Sequence, residues 1–214
     1  MTAAAAPCPA AIRVVGEQVE ILDQMDRPGL QLAVWERPAA SRQAASLQRE
    51  HPGAMRLSAT VDCRTGRLLT WLPSLDEAQR LGPALRAATH EVLCVFARIA
   101  AARGLERLPV RIEAIESRVC RRFHVDHVGL RLLCSVYGAG TEWIPEDAAN
   151  RAELGAGGGE VVRDHAAIRQ IPTGAIAILK GHCHRGDPGL GLIHRSPEAT
   201  AAAPRLLLAA DLPA

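Results

Sequence analysis

The sequence predicts an α+β fold in which a long helix of the N-terminal half buttresses a β-barrel or β-sandwich. Apolar residues recur at helical spacing before Gly104, whereas four short aliphatic runs, divided by Gly, Pro and Asp turns, follow it. A helical half followed by a run of strands is typical of α+β domains. The chain has 214 residues, of which 48% are hydrophobic and 22% are charged, so it can fill one such core.

The domain organisation is predicted from composition and pattern. Residues 1–10 are small and mostly apolar and are expected to be disordered. Residues 11–214 are expected to form a single domain. In it, residues 11–104 give helical and outer-strand support, and residues 105–214 form the β-rich core. The support region is predicted to contain strands at 30–35 and 55–62 and a short helix at 40–49.

The clearest predicted element is a helix over residues 75–103. Ser74 and Glu77 have the spacing of a capping box, in which each side chain satisfies a free backbone N–H. Gly82-Pro83 either kinks this helix or marks its true start, because proline is favoured in the first helical turn. An apolar stripe at 3.6-residue spacing is formed by Leu85, Ala88, Val92, Val95, Phe96 and Ile99.

The C-terminal half is predicted to be a series of short strands, because β-branched and aliphatic runs are bounded there by turn residues. The predicted strands cover residues 110–117, 130–137, 175–180 and 206–212. Four glycines and one alanine fill residues 155–159, and this composition predicts a mobile loop.

Several classes of partner are excluded by composition. The net charge of +2 is scattered and only 3% of residues are aromatic, so no nucleic-acid partner is expected. No run of 18 apolar residues is present, and no membrane association is expected. The N-terminus lacks the basic segment of an export signal, and the six cysteines form no C-x-x-C pair. We therefore expect reduced thiols and a cytoplasmic location.

A candidate metal-binding motif, H-x-D, is formed by His124, Val125 and Asp126. In an extended segment, residues two apart point to the same face, so His124 and Asp126 can approach one ion together. The third ligand must come from elsewhere, and the candidate is His194, which follows an apolar segment. Two histidines and one carboxylate on one side of an ion suit Fe(II), with zinc or nickel as alternatives.

The order of motifs from Phe123 to Arg205 resembles the core of the Fe(II)/2-oxoglutarate-dependent dioxygenases. In that family, H-x-D and a distal histidine are followed about ten residues later by a basic residue, and Arg205 lies 11 residues after His194. Residues 138–143 resemble the family's glycine-threonine-aromatic turn. Residues 172–179 resemble its proline-glycine turn and the strand that follows.

A narrower resemblance concerns the motif R-F-H-V-D-H at residues 122–127 and the motif H-R-S-P at residues 194–197. Both are similar to a group of bacterial proteins with no assigned function. This group indicates no substrate.

The resemblance implies a cupin-like double-stranded β-helix over residues 105–214, with the metal held by His124, Asp126 and His194. It also implies that Arg205 pairs with the distal carboxylate of 2-oxoglutarate, because a guanidinium holds a carboxylate bidentately. Two other arginines remain alternatives for the same anion, Arg195 and Arg131.

Further side chains are candidates for the rim of the site or for contacts to its ligands. His127 lies one residue beyond the same-face pair and is expected to point away from the ion. His182, Cys183 and His184 form an H-x-H motif, which is interpreted as a solvated turn, an active-site rim or a separate metal site. The candidates for this group are His127, Thr141, Trp143, His182 and His184.

Four functions are compatible with these residues. The first is a 2-oxoglutarate-dependent oxygenase acting on a small molecule or a protein side chain. The second is a metal-binding cupin for the homeostasis or sensing of zinc, nickel or iron, without oxygenase activity. A metal-dependent isomerase or lyase would need a base, for which Glu142 is the candidate. A structural β-domain with packed histidines is the fourth, and a homodimer is an open possibility.

Overall fold

The computed structural model describes residues 12–71, 80–117, 120–155, 159–186 and 188–213. Two α-helices lie in these ranges, α1 (Pro38–Gln48) and α2 (Pro83–Ala102). The strands in the same ranges are β1 Ile12–Gly16, β2 Leu30–Trp35, β3 Met55–Asp62, β4 Leu68–Trp71, β5 Arg107–Ile115, β6 Leu130–Tyr137, β7 Glu142–Trp143, β8 Arg169–Gln170, β9 Ile176–Lys180, β10 His194–Arg195 and β11 Arg205–Leu212.

These strands form two sheets that face each other. The larger sheet has the order β1-β2-β9-β6-β11-β5-β3-β4, and all its neighbours are antiparallel except β1 and β2. The smaller sheet has the antiparallel order β10-β7-β8. Strands distant in sequence are therefore neighbours in both sheets. This is the predicted double-stranded β-helix, with the N-terminal strands added at both edges of the larger sheet.

Each face of the larger sheet packs against a different apolar layer. On β6, Leu130, Leu132 and Cys134 contact the core that contains the helices, whereas Leu133 contacts the layer between the sheets. Side chains alternate between the two faces along a strand, so Arg131, Leu133 and Ser135 face the smaller sheet. Arg131 and Ser135 of β6 lie on this inner face, together with Arg205 of β11.

Helix α2 begins at Pro83, the later of the two predicted starts. Gly82 is its N-cap residue, and Pro83 supplies the fixed φ angle of a first helical turn. Its buried stripe includes Leu85, Val92, Phe96 and Ile99, all at most 2% exposed. The predicted capping box of Ser74 and Glu77 lies outside the described residues.

Most predicted strand boundaries agree with the observed ones. The strands at 30–35, 55–62 and 130–137 have the predicted limits, whereas β5 lies about three residues earlier than predicted. No helix within the described ranges combines the length and the apolar character that crossing a bilayer requires.

Candidate metal centre

The two candidate ligand histidines, His124 and His194, are joined through their backbones. The N–H of each donates to the carbonyl of the other, with N···O distances of 2.9 Å in both directions. Residues paired in this way place their side chains on the same side of the ladder. The imidazole rings of His124 and His194 consequently lie 4.6 Å apart between centroids.

Asp126 completes the predicted triad. Its Oδ2 lies 3.1 Å from Nε2 of His194, and its Oδ1 lies 3.5 Å from Nε2 of His124. One ligand atom from each residue falls within 4.8 Å of the others. Two ligands about 2.1 Å from one ion and at right angles are about 3 Å apart, so these separations suit a shared ion.

Backbone carbonyls orient both imidazole rings. Nδ1 of His124 donates to the carbonyl of Arg122, and Nδ1 of His194 donates to the carbonyl of Leu192, both at 3.0 Å. A carbonyl can only accept, so the proton of each neutral ring is placed on Nδ1. The lone pair of Nε2 on each ring therefore points toward the common centre, as metal coordination requires.

The carboxylate of Asp126 has one oxygen without a partner. Oδ2 is buried and accepts no hydrogen bond from any described residue. Such an oxygen is costly unless it binds something, because burial removes the water that would otherwise solvate it. A metal cation satisfies this oxygen together with the two Nε2 lone pairs, so the residues fit a divalent ion.

The electrostatics of the triad keep Asp126 ionised. Burial opposes ionisation of this carboxyl, but the adjacent imidazoles of His124 and His194 and the charge of Arg131 outweigh it. They hold the pKa of Asp126 well below its usual range. When its ring is protonated, His124 can also donate to Asp126, and this raises the pKa of His124 against the effect of burial.

Arg205 is buried close to this triad. It is 1% exposed, and its Nη1 and Nη2 donate to the hydroxyls of Ser196 and Ser135 at 3.0 Å. Nη2 also lies 3.5 Å from the hydroxyl of Thr141, whereas Nε has no partner among the described residues. Burial lowers the pKa of Arg205 to about 10. No described carboxylate forms an ion pair with this guanidinium.

One cavity connects the arginine to the metal ligands. It has a volume of about 220 Å³, and its walls include His124, His194, Thr141 and Arg205. A small anion in this cavity can contact the guanidinium at one end and an ion bound to the histidines at the other.

The family of the chain follows from a comparison of the whole sequence with known families. Residues 16–211 match the family described as "Protein of unknown function (DUF1826)". The chain belongs to the DUF1826 family. The match confirms the predicted relationship to a group without an assigned function. No curated protein matches the sequence.

Solved structures similar to the DUF1826 chain include a hydroxylase, a protein bound to nickel and 2-oxoglutarate, and a putative oxygenase. A prolyl-4-hydroxylase from Pseudomonas putida is 11% identical, covers 92% of this chain and 98% of its own, and has a TM-score of 0.43. HygX from Streptomyces hygroscopicus, solved with nickel and 2-oxoglutarate, is 12% identical. It covers 89% of this chain and 84% of its own, with a TM-score of 0.43. A putative oxygenase from Shewanella oneidensis is 12% identical. It covers 95% of this chain and 89% of its own, with a TM-score of 0.45.

The two alternative arginines of the DUF1826 chain are both engaged by carboxylates. Nε of Arg195 donates to Glu142 at 2.6 Å, and its guanidinium lies over the ring of Phe123 at 4.4 Å. Arg131 contacts Asp126 at 2.5 Å and Asp211 at 2.6 Å. Both arginines line the cavity, but only Arg205 lacks an ion pair there among the described residues.

A second cavity of about 520 Å³ meets His124 from another side. His127 and His182 line it, and their rings stack at 5.5 Å between centroids with an interplanar angle of 21°. Nδ1 of His184 accepts from the backbone N–H of Gly186. Within the described ranges, the triad is the one group of three side chains placed to hold a metal, and the H-x-H motif forms no such group with any described residue.

Two of the candidates for the rim or for contacts to the ligands, Thr141 and Trp143, are buried in the DUF1826 fold. Trp143 is 4% exposed, belongs to the apolar layer between the sheets and pairs with His194 across β7 and β10. Thr141 is also 4% exposed and contacts Arg205 through its hydroxyl. Thr141 therefore contacts the arginine of the candidate site, and Trp143 lies beside one of its histidines.

Three functional side chains were not predicted from the sequence, namely Ser135, Ser196 and Asp211. Ser135 lies four residues after Arg131 on the same face of β6, and Asp211 lies six residues after Arg205 on β11. Strand alternation could have placed both on the inner face. The contact partner of each depends on the register between β6 and β11, which alternation alone does not reveal.

Proposed function

We propose that this chain is an Fe(II)- and 2-oxoglutarate-dependent oxygenase or hydroxylase. The observation that carries the proposal is the buried guanidinium of Arg205, which has no carboxylate partner among the described residues and shares a cavity with both ligand histidines. A buried unpaired charge is costly unless a ligand compensates it. A dicarboxylate that contacts a metal through one end and Arg205 through the other fits this arrangement.

The residues of the site have separate tasks. His124, Asp126 and His194 would hold the metal, and the carbonyls of residues 122 and 192 keep the imidazoles in the coordinating tautomer. Ser135 and Ser196 hold the guanidinium of Arg205 in place by accepting one hydrogen bond each. When bound, Fe(II) would supply the oxidising chemistry, in which 2-oxoglutarate and O₂ give succinate and CO₂ and the second oxygen atom of O₂ passes to the substrate.

The substrate is proposed to approach through the 520 Å³ cavity. His124 is the most exposed ligand, with 36% of its side chain accessible, against 10% for Asp126 and 7% for His194. The volume lies within the range of small-molecule sites, about 300–1,000 Å³. A small molecule or a single protein side chain fits this space, with His127 and His182 available to bind it.

The alternative functions are less well supported by the contacts. A metal-homeostasis protein needs the triad but has no use for a buried, unpaired arginine beside it. An isomerase or lyase needs a free base, whereas Glu142 is held by Nε of Arg195 at 2.6 Å. The anion site therefore favours the oxygenase.

The test is conversion of 2-oxoglutarate to succinate by the iron-loaded protein. The wild type should form succinate even without its substrate, at a slow uncoupled rate, and His124→Ala should lose this activity. His90→Ala is the control, because it removes an exposed imidazole of α2 that lines neither cavity. Equal background turnover by wild type and His124→Ala would refute the enzymatic proposal. Tight metal binding without succinate formation would favour the metal-binding alternative.

A further inference from the structure

The guanidinium of Arg131 lies between two carboxylates. Its Nη1 contacts Oδ1 of the metal ligand Asp126 at 2.5 Å. Its Nε and Nη2 donate to Oδ1 and Oδ2 of Asp211 at 2.6 and 3.0 Å, forming a bidentate pair. One arginine thus connects a proposed metal ligand to a second acid that is not a ligand.

The backbone holds this connection in a defined geometry. Arg131 on β6 and Asp211 on β11 are direct partners in the antiparallel register, so their side chains start from adjacent positions. Arg111 on β5 lies 3.7 Å from the same Asp211 carboxylate. The side chains of Arg131 and Asp126 are 18% and 10% exposed, which limits the screening of their ion pair by water.

The contact distinguishes the two oxygens of Asp126. Oδ1 is occupied by Arg131, whereas Oδ2 is buried without a hydrogen bond and lies 3.1 Å from Nε2 of His194. The oxygen that remains for a metal is therefore Oδ2. A carboxylate bound through one oxygen takes one coordination position instead of two and leaves more positions for exogenous ligands.

We propose that Arg131 is a positioning residue that restricts Asp126 to coordination through Oδ2, and that Asp211 holds the guanidinium in the required orientation. This inference rests on the proposed metal centre. Arg131 thereby has a different role from Arg205, although both line the same cavity. The planar fork is essential, because a lysine ammonium cannot satisfy both carboxylates with the same geometry.

Titration of the metal-free protein with Co(II), followed by visible absorption, tests the proposal. Arg131→Met should weaken Co(II) binding by about 10- to 100-fold and alter the absorption bands, since Asp126 loses the group that orients it. Arg131→Lys should give an intermediate loss, and Asp211→Asn a smaller loss in the same direction. Arg195→Met is the matched control, because this arginine borders the cavity but pairs with Glu142, and it should leave both readouts unchanged.

The outcomes separate this inference from the metal centre itself. If Arg131 were only a nearby positive charge, its removal would tighten Co(II) binding, and that result would overturn the proposal. The proposal would also be overturned if Arg131→Met bound Co(II) with the affinity and the absorption bands of the wild type. If Arg131→Met does not fold, Asp211→Asn is used for the test. Unchanged Co(II) absorption bands in Asp211→Asn would then refute the inference. Failure of the wild type to bind Co(II) would overturn the metal centre and this inference with it.

Discussion

Gly138 lies so close to Arg205 that a β-carbon at position 138 would be 2.6 Å from the Cβ of Arg205 and 2.7 Å from its Cα. The backbone of Gly138 has a φ of +76°, a conformation that other residues adopt only with strain. The glycine after β6 thus allows β11 to bring Arg205 beside the metal ligands.

This contact predicts a large effect of Gly138→Ala on stability and on 2-oxoglutarate binding. Gly104→Ala is the matched control, since Gly104 has a φ of +79° but no atom within 4 Å of the added carbon. The control should lose about 1–2 kcal/mol of unfolding free energy from backbone strain alone. Gly138→Ala should lose more, because the strand that carries Arg205 must shift. Equal losses in urea denaturation would contradict the close approach.

Arg205→Met is expected to separate stability from ligand binding. The buried guanidinium has no ion-pair partner among the described residues, so replacing it with an apolar side chain should leave the Tm of the ligand-free protein unchanged or raise it. The rise in Tm that 2-oxoglutarate causes in the Ni(II)-loaded wild type should disappear. Arg195→Met should retain most of that rise. If 2-oxoglutarate raised the Tm of Arg205→Met as much as that of the wild type, the anion would be bound by another residue.

Metal affinity is expected to fall as the pH falls. The hydrogen bond to Asp126 raises the pKa of His124 above its ordinary value of about 6.5, although burial opposes this. A proton and a metal compete for Nε2, so Co(II) should bind more weakly at pH 6 than at pH 8. In the metal-free protein the proton stabilises the fold below about pH 6.5, and this contribution is lost as the pH rises through the raised pKa. Affinities that do not change between the two pH values would contradict the competition.

Two cysteines should differ strongly in reactivity. Cys120 is exposed, whereas Cys134 is buried on β6, and burial raises the pKa of the Cys134 thiol to about 12. Iodoacetamide at pH 8 should therefore label Cys120 in the native protein and label Cys134 only after addition of urea. Peptide mass spectrometry identifies the labelled positions. Early labelling of Cys134 would indicate that this part of the core opens under native conditions.

The sequence by itself determined the secondary structure around the site and the identity of its three proposed ligands. Alternating and helical patterns report burial locally, so β6 and the stripe of α2 were predicted from the chain alone. The H-x-D spacing places His124 and Asp126 on one face of an extended segment for the same local reason. His194 was a candidate from its position after an apolar segment, whereas choosing Arg205 needed the family resemblance, because no periodicity relates positions so far apart.

Only the tertiary structure showed which side chains of distant strands contact each other. The register of β11 against β6 makes Asp211 the partner of Arg131, and the pairing of β10 with β7 puts Trp143 beside His194. These contacts show that Arg131 and Arg195 are engaged by carboxylates, whereas Arg205 has no such partner among the described residues. A local pattern reports which face a side chain occupies, but register between distant strands is set by the packing of the whole core. The difference between the three arginines could therefore be established only from the folded chain.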